Sequence, residues 1–197
     1  MLTLNTIIES LKAYEEIIAD GQALVDFYAQ GNCFIFDLPP YAGGAAMHAY
    51  PGIHEDKLKF FVIPAEYDNA DTEHIAHYVT MHPIIWNLKN NRIPNHEARV
   101  IIDRWGNDYS TWIPAQVNHT SYGMFRAFAI PMSDFEIEQT QVNLALKHDE
   151  DDPALFKADI VVTNVESSAV YYDDYATPVP PYKASVLSTS FYLLSLV

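Results

Sequence analysis

The first twenty residues place Leu4, Ile7, Ile8, Leu11, Tyr14 and Ile18 at three- and four-residue spacing, with Glu9, Lys12, Glu15 and Glu16 towards the other side. That period predicts an amphipathic helix. Thr3 stands where a cap is needed, and Leu2 and Ile7 occupy the positions of a hydrophobic staple. Asp20-Gly21 predicts the end of this helix, and residues 23–30 a second one closed by Gly31-Asn32.

Beyond residue 32 the period changes. Runs rich in β-branched and aromatic side chains predict strands at 33–38, 58–63, 125–130 and 158–165. Residues 100–105 and 109–113 flank Gly106-Asn107-Asp108 and predict a hairpin. Residues 135–148 carry both signals: Ser133 and Glu136 have capping-box spacing, but Val142, Leu144 and Leu146 alternate, which favours a strand. The final stretch, 186–197, is apolar on both alternating faces, as an interior strand would be. Ile63-Pro64, Ile113-Pro114 and Ile130-Pro131 each predict the close of a strand, because proline has no N–H for the ladder.

Between 37 and 55, Pro39-Pro40, Gly43-Gly44 and Pro51-Gly52 predict a long loop holding Tyr41, His48, Tyr50 and His54. After the apolar run at 58–63, a helix capped by Asp68 or Asp71 is expected to carry His74, His77 and His82 as far as Pro83. Together these patterns predict an α+β fold: an N-terminal helical segment, then a largely antiparallel or mixed sheet with one further helix. One domain over 1–197 is expected, helical over 1–31, strand plus Pro/Gly-rich loop over 32–57 and sheet-rich over 58–197.

Composition narrows the function classes. Apolar residues make up 49% of the 197, which suits a packed core, and Cys33 is the only cysteine, so no intramolecular disulfide forms. The net charge of −15 disfavours direct nucleic-acid binding. No basic segment followed by an apolar run opens the chain, and 186–197 is too short to span a bilayer. A soluble protein, cytoplasmic or within a particle and without membrane insertion, is therefore expected.

Chemistry-bearing motifs are sparse. Phosphate-loop and nucleophile-elbow patterns are missing, and Asp149-Glu150-Asp151-Asp152 lacks the spacing of a calcium loop. On a helix, His74 and His77 would lie one turn apart and, with His48 or His54 as a further ligand, would suit zinc. The second candidate is a proline-rich interface loop over 170–182 with Tyr171, Tyr172, Asp173, Asp174, Tyr175 and Tyr182, since tyrosine gives contact area at low entropic cost. The leading expectation is a cofactor-free structural or protein-interaction subunit, self-associating or built into a larger, phage-like assembly as a virion component. A histidine-based metal-dependent hydrolase and an acidic inhibitor or immunity-type protein are the alternatives.

Overall fold

The structure is a computed structural model and describes residues 2–86, 96–120, 123–136, 139–149, 152, 154–165, 170–173, 177–179 and 191–197. The fold is α+β, with three α-helices and two antiparallel sheets among the described residues. Helices α1 (Leu4–Ile17) and α2 (Gly21–Tyr28) precede strands β1 (Cys33–Asp37), β2 (Ala46–His54), β3 (Lys57–Pro64) and β4 (Thr80–Pro83). Helix α3 (His96–His119) follows, then β5 (Ala127–Pro131), β6 (Gln139–His148), β7 (Phe156–Val165), β8 (Val170–Asp173) and β9 (Thr177–Val179). One sheet runs β1-β6-β7-β8 and the other β4-β3-β2-β5-β9. No helix among the described residues is long and apolar enough to cross a membrane.

The strand period of two sorts side chains into layers. Phe34 and Phe36 of β1, Met47 and Ala49 of β2, Leu58, Phe60 and Val62 of β3, and Val142, Leu144 and Leu146 of β6 share the main core between the sheets. The alternate residues Tyr50, Phe61 and Ile63 face the other way, into a second core with Ile7 and Leu11 of α1. Strand β3 is buried on both faces, so its sequence reads as an unbroken apolar run rather than an alternation. On the far side of the first sheet, Ala145 and Val161 pack under Ala98 and Ile102 of α3.

Helix boundaries follow local chemistry. The Thr3 hydroxyl accepts from the Thr6 N–H at 3.1 Å, and Leu2 packs into the same cluster as Ile7. Asp20, expected to end the first helix, instead caps the second by accepting from the N–H groups of Gln22 and Ala23 at 3.0 Å. Gly21 then allows α2 to approach α3, because a Cβ there would lie 2.9 Å from Pro114 Cα.

Helix α3 replaces the hairpin predicted at 100–113 and interrupts the sheet-rich region. Ala98, Ile102, Trp105 and Ile113 recur at helical spacing and are buried, whereas Gly106, Asn107 and Asp108 stay on the outer side. The turn-like triplet is thus tolerated on an outer helix face, and burial of the stripe overrides local propensity. Pro114 lies inside this helix rather than closing a strand, while Pro64 and Pro131 do end β3 and β5.

Three further expectations change. The predicted 37–55 loop contains β2, and Pro51 is accommodated because pairing with β5 stops at Ala49, leaving only β3 opposite it. The predicted histidine helix is a 3-10 helix, Ile75–Tyr78, followed by β4, because His74 sits in the left-handed region (φ 54°) and the next residues extend to pair with β3. The end of the chain forms a 3-10 helix, Tyr192–Leu196, in place of an interior strand, and residues 186–190 of that expectation lie outside the described residues.

A seam joins the two sheets. Ile85, just after β4, bridges Cys33 at the start of β1, donating to its carbonyl at 2.8 Å and accepting from the Asn32 and Cys33 N–H groups. Gly31 makes room for this contact, since a Cβ there would stand 2.5 Å from the Ile85 nitrogen. Beside the seam, His82 of β4 lies among the rings of Phe34 and Phe36, with Nε2 2.8 Å from the Thr80 hydroxyl. Burial lowers the His82 pKa below its usual 6.5, against weaker opposing effects of the Ile35 backbone and the Asp37 charge. As pH falls through 6.5 the unfolded chain gains a proton at this residue before the folded chain does, so this contribution to stability is present above 6.5 and is lost on acidification. Urea denaturation between pH 7.5 and 5.5 should show stability falling with pH, with a shallower slope in His82→Gln by at most about 1.4 kcal/mol per pH unit. Identical slopes would contradict this assignment.

Candidate functional site

The polar centre of the molecule is a buried carboxylate. His48 and Tyr50 are two apart on β2 and so project from the same face, towards α1 rather than into the main core. Asp68 follows the 3-10 helix Ala65–Tyr67, and its own N–H returns to the Ala65 carbonyl at 3.2 Å, which turns its side chain under the sheet. His48 Nδ1 donates to Asp68 Oδ2 at 2.7 Å, and the Tyr50 hydroxyl donates to the same oxygen. The Leu193 N–H donates to Oδ1 at 3.1 Å. Phe191 covers the group, its ring stacked on His48 with centroids 4.1 Å apart. Burial, followed by the Asp68 charge and hydrogen bond, pushes the Tyr50 phenol well above its usual range, which keeps it a neutral donor. The carboxylate thereby fastens the last described segment to β2 and to the turn after β3.

The same turn faces outward as well. Tyr67, the residue before Asp68, stacks on Tyr78 with ring centroids 3.9 Å apart and planes at 8°. Tyr41 stands edge-on to both, at 6.2 Å from Tyr67 and 5.5 Å from Tyr78. Tyr41 comes from the 38–45 connection, which turns through an Ala42 N–H to Pro39 carbonyl bond of 2.8 Å and a left-handed Gly44 (φ 76°). Gly43 and Gly44 let this connection lie against Glu66, where a Cβ on Gly43 would be 3.0 Å from Oε1. Tyr41 remains 37% exposed. Partial burial, then the neighbouring Tyr78 and Tyr67, raise its pKa, which keeps the Tyr41 hydroxyl neutral.

His74, His77, His48 and His54 are the histidines expected to hold a metal. His74 and His77 have ring centroids 5.5 Å apart, but His48 is bonded to Asp68, and His54 lies 3.4 Å from the Ser10 hydroxyl and 3.9 Å from Glu55. Among the described residues no three His, Cys, Asp or Glu side chains gather where one metal ion would be held. The loop expected at 170–182 instead contributes two strands: Tyr171, Tyr172 and Asp173 belong to β8, which pairs with β7 at the edge of its sheet, and residues 177–179 form β9 beside β5, while Asp174, Tyr175 and Tyr182 lie outside the described residues.

Sequence reasoning passed over the Asp68 group and the Tyr41–Tyr67–Tyr78 cluster. The first had a legible trace, the two-residue spacing of His48 and Tyr50. The loop signals of Pro39-Pro40, Gly43-Gly44 and Pro51-Gly52 mask it. No protein-family model, curated protein or solved structure matches the chain.

Asp68→Asn tests the buried group. Two oxygens receive three donors, and an amide offers one acceptor, so at least one buried donor faces an N–H₂ group. Urea denaturation should show a loss of about 1–3 kcal/mol. Unchanged stability would show that the carboxylate is dispensable.

Proposed function

We propose that the protein is a non-enzymatic interaction subunit that self-associates through the Tyr41–Tyr67–Tyr78 cluster. The observation that carries this reading is the contact among three tyrosine rings at the surface, with Tyr67 and Tyr78 stacked and Tyr41 open to solvent. Rings that are already packed lose little conformational freedom on binding, and tyrosines are enriched among residues that dominate interface energies. A subunit of a larger, phage-like particle is the extended form of the same reading, with repeated copies meeting at this patch.

Sedimentation velocity across a micromolar to submillimolar concentration series at physiological salt tests it. The wild-type chain should show concentration-dependent association, and Tyr41→Ser should weaken it at least about tenfold, or about 1.4 kcal/mol. A wild-type chain that remains monomeric throughout, or association indifferent to Tyr41→Ser, would count against the proposal.

A further inference from the structure

A cavity of about 340 Å³ lies between the C-terminal half of α3 and the turn joining β6 to β7, away from both the Asp68 group and the tyrosine cluster. Its volume falls within the range of small-molecule pockets. Phe125 and Ala158 are buried in its depth, Trp112 and Phe156 form the wall, and Ala115, His119 and Leu155 stand exposed at its mouth.

The wall is held open by its own hydrogen bonds. Trp112 Nε1 donates to the Phe156 carbonyl at 2.8 Å, fixing helix against strand across the cavity. Gln116 Nε2 donates to the Gly123 carbonyl at 2.8 Å, and the Thr120 hydroxyl donates to the Gln116 carbonyl at 2.7 Å while accepting from the Gly123 N–H. Gly123 has φ 67°, a conformation that an L side chain rarely adopts. Arg104 lies 4.4 Å above the Phe156 ring and donates to the Leu146 carbonyl at 2.9 Å, which steadies the wall from behind. These bonds engage the Trp112, Gln116 and Thr120 side chains within the wall, and Ala115, Phe125, Ala154, Leu155, Phe156 and Ala158 supply apolar lining. A water needs two to four polar partners, so an interior of this kind suits an apolar occupant better.

We infer that this cavity is a binding site for a small ring-bearing apolar molecule with a neutral polar head. The ring enters between Trp112, Phe125 and Phe156, and the head remains at the mouth. Asp149 and Lys157 both line the cavity, so a carboxylate and an ammonium stand at the same site and favour a neutral head, within a chain of net charge −15 that disfavours an anionic one. Leu155, a large apolar side chain left 55% exposed, forms a lip that a bound ring would cover.

Fluorescence titration with N-phenylnaphthylamine, a neutral aromatic amine, tests the inference on the full chain. Saturable binding at one dye per chain is expected, with weaker binding of anilinonaphthalene sulfonate, its anionic counterpart. Ala115→Trp fills the mouth from an exposed helix position and should lower the affinity at least about tenfold, with the circular dichroism spectrum and melting temperature retained. Leu155→Asp, at an exposed site outside the core, should weaken binding several-fold and decides the matter alone if Ala115→Trp does not fold. Absent or non-saturating dye binding, or affinity unchanged by these substitutions, would overturn the site. Tighter binding of the sulfonate would overturn the assigned head group.

Discussion

The burial of Asp68 is the constraint on which the rest of this structure depends. A carboxylate taken out of water costs several kcal/mol unless donors surround it. Here the donors come from separate parts of the chain: His48 and Tyr50 from β2, and the Leu193 N–H from near the C-terminus. Satisfying one side chain therefore places a strand, a turn and a terminal segment in a single arrangement. The cost of leaving any donor unpaired makes that arrangement specific as well as stable. Because Tyr67 immediately precedes Asp68, anchoring the carboxylate inside also sets where the neighbouring ring emerges. The buried group and the exposed tyrosine cluster are two sides of one turn.

Around that point the molecule uses ordinary means. Sheet faces alternate between two cores, and β3 serves both. The Ile85–Cys33 bridge joins the sheets at one corner, where Gly31 permits the approach. Charge is handled locally on the opposite sheet, where the buried Asp159 pairs with Lys147 and accepts from the Ile160 N–H at 2.9 Å. The surface tie between Glu15 and Arg126, at 2.9 Å, connects α1 to the entry of β5 but is partly exposed, and pairs of that kind contribute little. Apolar layering and the Asp68 group hold the fold, and exposed ion pairs are secondary.

Much of the architecture was legible in the sequence. The helical period from Leu4 to Ile18, the Thr3 cap, the apolar run of β3 and the alternation of Val142, Leu144 and Leu146 all point to what the structure contains. What could not be read was decided by distant partners. Gly106-Asn107-Asp108 reads as a turn until Ala98, Ile102 and Trp105 are seen buried on one side of α3. Pro51-Gly52 reads as a loop because sequence does not reveal that β2 has lost its β5 neighbour by that residue. The histidine helix fails at His74, whose left-handed backbone the helical spacing of His74 and His77 does not reveal. The site was harder still. Asp68 was visible only as a cap, since its partners lie 20 residues before it in one direction and 125 after it in the other. The tyrosine cluster draws on residues 41, 67 and 78, which meet only once β2 and β3 have paired.

Native-state hydrogen exchange at the Leu193 amide tests the central claim most directly. If Asp68 fastens the terminal segment, that amide exchanges only through global unfolding, and its protection matches that of the β2–β3 ladder. Exchange at the rate of an exposed amide, while the β2–β3 ladder stays protected, would show that the segment is not held by the carboxylate and would contradict the account.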